Sequence, residues 1–330
     1  MLDQPLSFRP YAPSADEPNV VVDGTPNAGT TLTLSHWPGA PLPAPEVAAD
    51  LSAQMAFRYL EHPEVLHGAA TVVTANHFDQ DGLVSVWAMT SPADASALRP
   101  LAEDLAAAGD FATYRDRRAA RASMVVSAFA DPDRSPVPTR GDDRLAELFV
   151  DALGRLPQLL LDQDPYATLW EEEDAHLSAS EAALADGRIS IDEHADVDLA
   201  VVDAPAAPWW GHRFGGRRYD GVHPMALHGA TDRGVILLST GDTHRVTYRY
   251  ESWVQLRSRR VRPRIDLGPV AEELSDLDDA PWRADPPGEL TPQLEPVAGA
   301  SALSRASVLE VLVRHLRDDP VAFDPYAPPS

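Results

Sequence analysis

Residues 70–89 read Ala70-Thr71-Val72-Val73-Thr74-Ala75-Asn76-His77-Phe78-Asp79-Gln80-Asp81-Gly82-Leu83-Val84-Ser85-Val86-Trp87-Ala88-Met89. The first six form a short β-branched run, which predicts a buried strand. The last seven, apolar except for Ser85, begin a helix. Between them, His77, Asp79 and Asp81 alternate, so an extended turn aims all three at one point, and Gly82 lets the chain bend into the helix. Open α/β sheets bind ligands at the C-terminal ends of their strands, where this turn lies. Carboxylates gathered so closely repel, and a divalent cation removes that cost. Oxygen donors with an imidazole suit manganese or magnesium. A calcium loop of the EF-hand type is excluded, since alignment on Gly82 puts His77 at its first position and Ala88 at its twelfth. The competing reading is a polar turn in which Asp81 only caps the helix.

Upstream, Asn19-Val20-Val21-Val22-Asp23-Gly24 reads as a buried strand ending in a turn, and Thr31–Leu34 as a second strand running into Ser35-His36-Trp37. Residues 47–60 carry Leu51, Met55, Phe57 and Leu60 near one side, which predicts a helix. Strand and helix alternate at a spacing that predicts a parallel α/β sheet. Helical periodicity follows over 97–108, 115–128, 143–161 and 168–185. Strand-like runs then appear at 188–191, 198–202, 234–238, 245–250 and 253–256, and two helices close the chain near 267–274 and 304–317. Residues 205–219 read as a long loop.

At 330 residues the chain is long for one core and fits two domains. It has no cysteine, which excludes disulfides, thiolate metal sites and thiol nucleophiles. All 27 basic residues are arginine. We read this as the codon bias of a GC-rich genome; it excludes Schiff-base chemistry and a P-loop lysine. No apolar run reaches the roughly 18 residues of a membrane span, and Met1–Pro5 lacks the pattern of a signal peptide. These features predict a cytoplasmic protein without a membrane partner. The net charge of -24 argues against binding long duplex nucleic acid. Residues 205–264 nevertheless hold 11 arginines against 4 acids, a local excess that suits a small phosphorylated ligand or, more blandly, offsets nearby acids.

The stretch 76–85 resembles the first motif of the DHH phosphoesterases, a strand ending in an Asp/His-x-Asp-x-Asp-Gly turn before a helix. The resemblance extends upstream in a permuted order. Val20–Gly24 looks like the family's second motif, with Asp23 as a metal-binding residue. Leu32–Trp37 stands where a strand runs into Asp-His-His, and Asp50–Phe57 resembles the helix that follows. Ser35 and Trp37 depart from the triplet; only His36 carries over. The whole also resembles a family of actinobacterial proteins with no assigned activity.

The resemblance implies a parallel-sheet metal-binding α/β domain over 1–155. A helical connector and a second, smaller, β-rich α+β substrate-binding domain would follow over 156–330. It implies a divalent-metal phosphoesterase, with manganese more apt than magnesium, acting on a small phosphorylated or nucleotide-type substrate. His77, Asp79, Asp81 and Asp23 are the ligands it implies; apart from the resemblance, Asp110 at the Gly109-Asp110-Phe111 interruption is a further candidate ligand, unless that Gly-Asp pair is only a C-cap followed by an N-cap. His77 and Asp81 would also serve catalysis. His36 would orient the phosphate or protonate the leaving group. Arg257, Arg259 and Arg260 would bind the substrate; His228, near the basic segment, is a further candidate for a phosphate contact, unless it is only a structural histidine near a turn. The alternative is a degenerate relative that binds a metal or nucleotide without turnover. Elsewhere, Glu173-Asp174-Ala175-His176 has the spacing of a di-iron ligand pair but no second copy, and reads as a solvated acidic face. No Gly-x-Gly-x-x-Gly follows a strand and no Gly-x-Ser-x-Gly occurs, against a Rossmann cofactor and an α/β-hydrolase serine.

Overall fold

The computed structural model describes residues 4–41, 44–62, 70–141, 143–205, 219 and 221–327. The chain forms two compact units. The first holds the chain up to Asp174 together with Gln255–Arg259, and the second holds the rest.

In the first unit, β1 (Ser7–Phe8), β2 (Asn19–Val22), β3 (Thr30–Leu34) and β4 (Val72–Thr74) form a sheet in the order β1-β4-β2-β3, with every pairing parallel. The central strand β2 is buried along its whole length. A strand covered on both faces takes a continuous apolar run, which Val20, Val21 and Val22 supply. Each such side chain contributes about 1.5–3 kcal/mol when fully buried. Asn19 at the start of β2 is also buried, but its amide donates to the carbonyls of Ser14 and Glu17 and to Asn27 Oδ1. Helices α2 (Ser52–Glu61) and α3 (Gln80–Thr90) pack against the sheet and against each other, with α1 (Tyr11–Ser14) near β4. Outside α3 lie α4 (Pro92–Ala97), α5 (Arg99–Asp110), α6 (Arg117–Ala130) and α7 (Arg144–Leu161).

The division falls between Asp174 and Ala175, within α8 (Ala167–Ala185) and within a few tens of residues of the expected position. Side chains of α6 hold the start of α8 in the first unit. Arg117 and Arg121 both pair with Asp174, and the Arg121 guanidinium lies over the Trp170 ring. Asp174 is therefore a paired acid, not part of a solvated acidic face.

In the second unit, β5 (Ser190–His194), β6 (Leu199–Asp203), β7 (Val235–Thr240), β8 (Thr243–Tyr248), β10 (Trp282–Ala284) and β11 (Gln293–Pro296) form a sheet in the order β10-β11-β8-β7-β6-β5. Only β6 and β7 pair in parallel; the other pairings are antiparallel. Helices α9 (Pro224–Ala230), α10 (Gly268–Leu277) and α11 (Arg305–Asp318) belong to this unit, and β9 (Arg264–Ile265) pairs with β12 (Val321–Phe323). The fold is thus mixed α/β, with one parallel and one mostly antiparallel sheet. The run 253–256 is not a strand: the chain turns through a 3-10 helix at Tyr250–Ser252, fixed by the Ser252 hydroxyl on the Arg249 carbonyl. The expected loop over 205–219 lies almost wholly outside the described residues.

Candidate metal centre

Strands β2, β3 and β4 run parallel, so their C-terminal ends share one edge of the sheet. Asp23 follows β2, His36 follows β3, and the turn 76–79 follows β4. Asp81 lies in the first turn of α3, and Asp110 is the last residue of α5. These elements bring six side chains together in two overlapping groups. Asp23, His36, Asp81 and Asp110 form one; Asp23, His77 and Asp79 form the other. Within each group, one donor atom per residue lies within 4.8 Å of every other. Donors on opposite sides of an ion at about 2.0–2.2 Å stand about 4–4.4 Å apart, so both groups are close to the size a cation needs.

Asp23 belongs to both groups and gives one oxygen to each. Its Oδ1 lies 3.6 Å from His36 Nε2, and its Oδ2 lies 3.3 Å from His77 Nε2. The residue adopts φ 47°, a left-handed conformation that a side chain other than glycine rarely takes. The Ser52 hydroxyl donates to Asp23 Oδ1 at 2.9 Å and fixes the carboxylate. Asp23 Oδ2 and Asp110 Oδ2 are buried and accept no hydrogen bond among the described residues. Buried acceptors left in that state are costly unless something binds them.

Both histidines are held by Nδ1. His36 Nδ1 donates to the Asp50 carbonyl at 2.6 Å, and His77 Nδ1 donates to Asn76 Oδ1 at 2.9 Å. Each ring thereby turns Nε2 toward the carboxylates. An oxygen acceptor on the far nitrogen is the usual support of a metal-binding histidine. Asn76 can approach so closely because residue 24 is glycine: a Cβ there would lie 2.2 Å from Asn76 Oδ1.

The two groups differ in exposure. The His36 ring is fully buried, whereas the His77 side chain is 34% exposed and that of Asp79 29%. The Trp37 ring lies against His77 at 5.2 Å between centroids. The His36 ring is shut from solvent, with Nδ1 on a carbonyl and Nε2 3.4 Å from Asp110 Oδ2, so its free nitrogen faces the carboxylates of the cluster.

Charge in the cluster is balanced by protons. Burial alone would lower the pKa of His77, but Asp79 and Asp23 raise it well above the ordinary imidazole value. Burial opposes the ionisation of Asp79, yet the His77 charge lowers its pKa. Burial, and then the charge of Asp23, raises Asp81; burial, and then the charges of Asp81, Asp79 and Asp23, raises Asp110. Four carboxylates held this way match the charge of two divalent cations. Clusters of acidic and histidine side chains that could bind metal are therefore present.

Asp81 does not cap its own helix. Asp79 is the N-cap of α3, accepting from the Gly82 N–H at 2.8 Å. Asp81 instead accepts from the N–H groups of Ser52 and Ala53 at the start of α2, each at 2.8 Å. Asp110 is neither the C-cap nor the N-cap considered for the Gly-Asp pair: it ends α5 with its carboxylate in the cluster. Gly109 beside it brings α5 against α3, since a Cβ there would lie 2.5 Å from the Cβ of Gln80. Neither group draws on positions 35 or 37. Ser35 Oγ accepts from the Gly24 and Trp37 N–H groups and shapes the loop.

Arg257 and Arg259 belong to the first unit. Arg260 belongs to the second, where it pairs with Asp324 and lies over the Tyr326 ring. His228, also in the second unit, bonds through Nε2 with the Tyr219 hydroxyl. These contacts engage Arg260 and His228 with protein neighbours. Sequence reasoning assigned no role to Asn76, Asp50 or Ser52. Asn76 directly precedes the acidic turn, a signal in itself; Asp50 contributes through its carbonyl, which no side-chain pattern reveals.

Among the described residues, no helix is long and apolar enough to cross a membrane. No curated protein and no solved structure matches the chain. A model of the family of unknown function DUF6687 matches residues 4–327, and the chain belongs to that family.

Proposed function

We propose that the chain is a divalent-metal-dependent phosphoesterase of the DHH type, with a permuted order of motifs, that hydrolyses a small phosphorylated or nucleotide-type substrate. The observation that carries this reading is Asp23, which turns one oxygen toward each of two donor groups. A carboxylate shared in this way suits a pair of cations, the arrangement used to clamp the attacking and leaving oxygens of a phosphoryl displacement. Asp23, His36, Asp81 and Asp110 would hold one cation; Asp23, His77 and Asp79 would hold the other. Oxygen donors with one imidazole per group suit manganese, with magnesium the next fit. When bound, the cations supply positive charge for a phosphoryl group and lower the pKa of water.

The chain's own part is to orient and to limit access. Asp50 and Asn76 hold the imidazoles in one tautomer. Ser52 and the N–H groups of α2 hold Asp23 and Asp81. The burial of His36 and Asp81 closes one group to solvent, and the exposure of His77 and Asp79 leaves the other open to a substrate. Metal-dependent release of phosphate or nucleotide from pyrophosphate, short oligonucleotides, cyclic dinucleotides and a nitrophenyl phosphodiester tests the proposal. Manganese-dependent turnover that Asp79→Ala abolishes supports it. Metal binding with no turnover on this panel favours a binding protein. The Trp37 ring against His77, where the family pattern has a histidine, favours that second reading.

A further inference from the structure

The first unit contains a cavity of about 700 Å³ whose lining includes Asp50, Gln54, Arg58, Arg257 and Ser258. Two arginines face it. Gln54 and Arg58 lie one turn apart on α2, so they project from the same face of the helix. Arg257 comes from the segment 255–259, which is bound to the loop before α2: Asp50 Oδ1 accepts from the N–H groups of Arg257 and Ser258, the latter at 2.8 Å. The Gln255 N–H also donates to the His36 carbonyl at 2.8 Å.

Positive charge exceeds negative in this cavity, with two arginines against the one carboxylate of Asp50. Acids outnumber bases 51 to 27 along the chain, and most described arginines stand against a carboxylate. Arg58 and Arg257 do not. Arg58 donates to the Ala48 carbonyl and Arg257 to Gln255 Oε1 at 3.3 Å, and neither has an acidic partner among the described residues. Asp50 lines the same cavity, but its carboxylate already accepts two backbone N–H groups. Two guanidinium groups facing one space repel each other, and an oxyanion between them removes the repulsion and accepts their paired donors.

We propose that this cavity is an oxyanion site that takes a phosphoryl group through Arg58 and Arg257. It uses none of the metal-binding side chains, so it does not depend on the proposed hydrolysis. Asp50 links the two places: its side chain lines the cavity and its carbonyl holds His36 Nδ1.

The test is calorimetric titration of the full chain, stripped of metal on a chelating resin, with inorganic phosphate. One site in the wild type is expected, weakened about tenfold or more by Arg58→Ala and by Arg257→Ala and unchanged by Asp79→Ala. Arg58 also supports the Ala48 carbonyl; Arg257→Ala removes no backbone contact and gives the second, independent readout. Absence of binding to the stripped wild type, or binding that survives in both arginine variants, overturns the proposal. Binding that requires added manganese and is lost in Asp79→Ala places phosphate at the metal centre and overturns it as well.

Discussion

The carboxylate of Asp81 accepts the backbone N–H of Ser52 at 2.8 Å, so a residue inside the first turn of one helix caps the start of another 29 positions earlier. It does the same for Ala53. The acidic turn is therefore tied to the helix that follows β3, and the candidate metal centre is built on a contact that also shapes the fold.

This predicts opposite outcomes for two acids of the same donor group. Asp81→Ala leaves two buried N–H groups unpaired and costs about 1–3 kcal/mol with or without metal. Asp110, whose Oδ2 accepts no hydrogen bond among the described residues and which stands near the acids Asp23, Asp79 and Asp81 as well as His36, carries repulsion in the metal-free protein. Asp110→Asn raises the unfolding midpoint of stripped protein and shrinks the shift that manganese produces. Denaturant unfolding of both variants, stripped and metal-loaded, checks the pair.

Stability also depends on pH with a defined sign. Burial and neighbouring acids raise the carboxyl pKa of Asp81 and Asp110 in the folded chain. A raised carboxyl keeps its proton where the unfolded chain has lost it. The folded state then binds more protons, and metal-free stability falls as pH rises above the ordinary carboxylate range of about 4. A cation in the proton's place removes that loss and releases protons on binding. Thermal melts between about pH 5 and pH 8 are expected to show the metal-induced gain widening with pH. A gain that narrows toward high pH would count against the assigned ligands.

Asn76 contributes by orienting His77. Asn76→Ala frees the ring and weakens manganese binding roughly 10–100-fold while leaving the fold intact. Gly24→Ala produces a similar loss from the other side, because its new Cβ would meet Asn76 Oδ1. Titration with manganese followed by electron paramagnetic resonance measures both.

Gly109→Ala is expected to destabilise the first unit by about 1–3 kcal/mol, since the added methyl meets the Gln80 side chain. Gln80 cannot move aside freely: its amide donates to the Ser123 carbonyl and to the hydroxyls of Ser123 and Ser127 on α6. Denaturant unfolding gives the value.

The parallel sheet was legible where the strands are buried on both sides. Val20–Val22 and Val72–Thr74 are continuous apolar or β-branched runs, and the polar residues following them mark the strand ends. The short edge strand Ser7–Phe8 carries no such pattern, and β10 and β11 are brief runs broken by charge. The start of α2 was placed too early because Val47 and Ala49 are apolar. The helix begins at Ser52, where Asp81 supplies the cap from a distant part of the chain. The convergence of Asp23 and His36 on the acidic turn was suggested by family resemblance, and Asp110 by the break in the helical pattern beside Gly109; local spacing alone does not contain it, because it depends on strand order and on the packing of α5 against α3. The orientation of His36 rests on a backbone carbonyl, which sequence does not reveal.

The central claim is that two cations share Asp23. Manganese bound per chain, measured by metal analysis after equilibrium dialysis of wild type, Asp110→Asn and Asp23→Asn, tests it most directly. Two ions in the wild type, one in Asp110→Asn and loss of both at the same free manganese in Asp23→Asn are the predicted results. No bound metal in the wild type, or two ions undiminished in Asp23→Asn, would contradict the account.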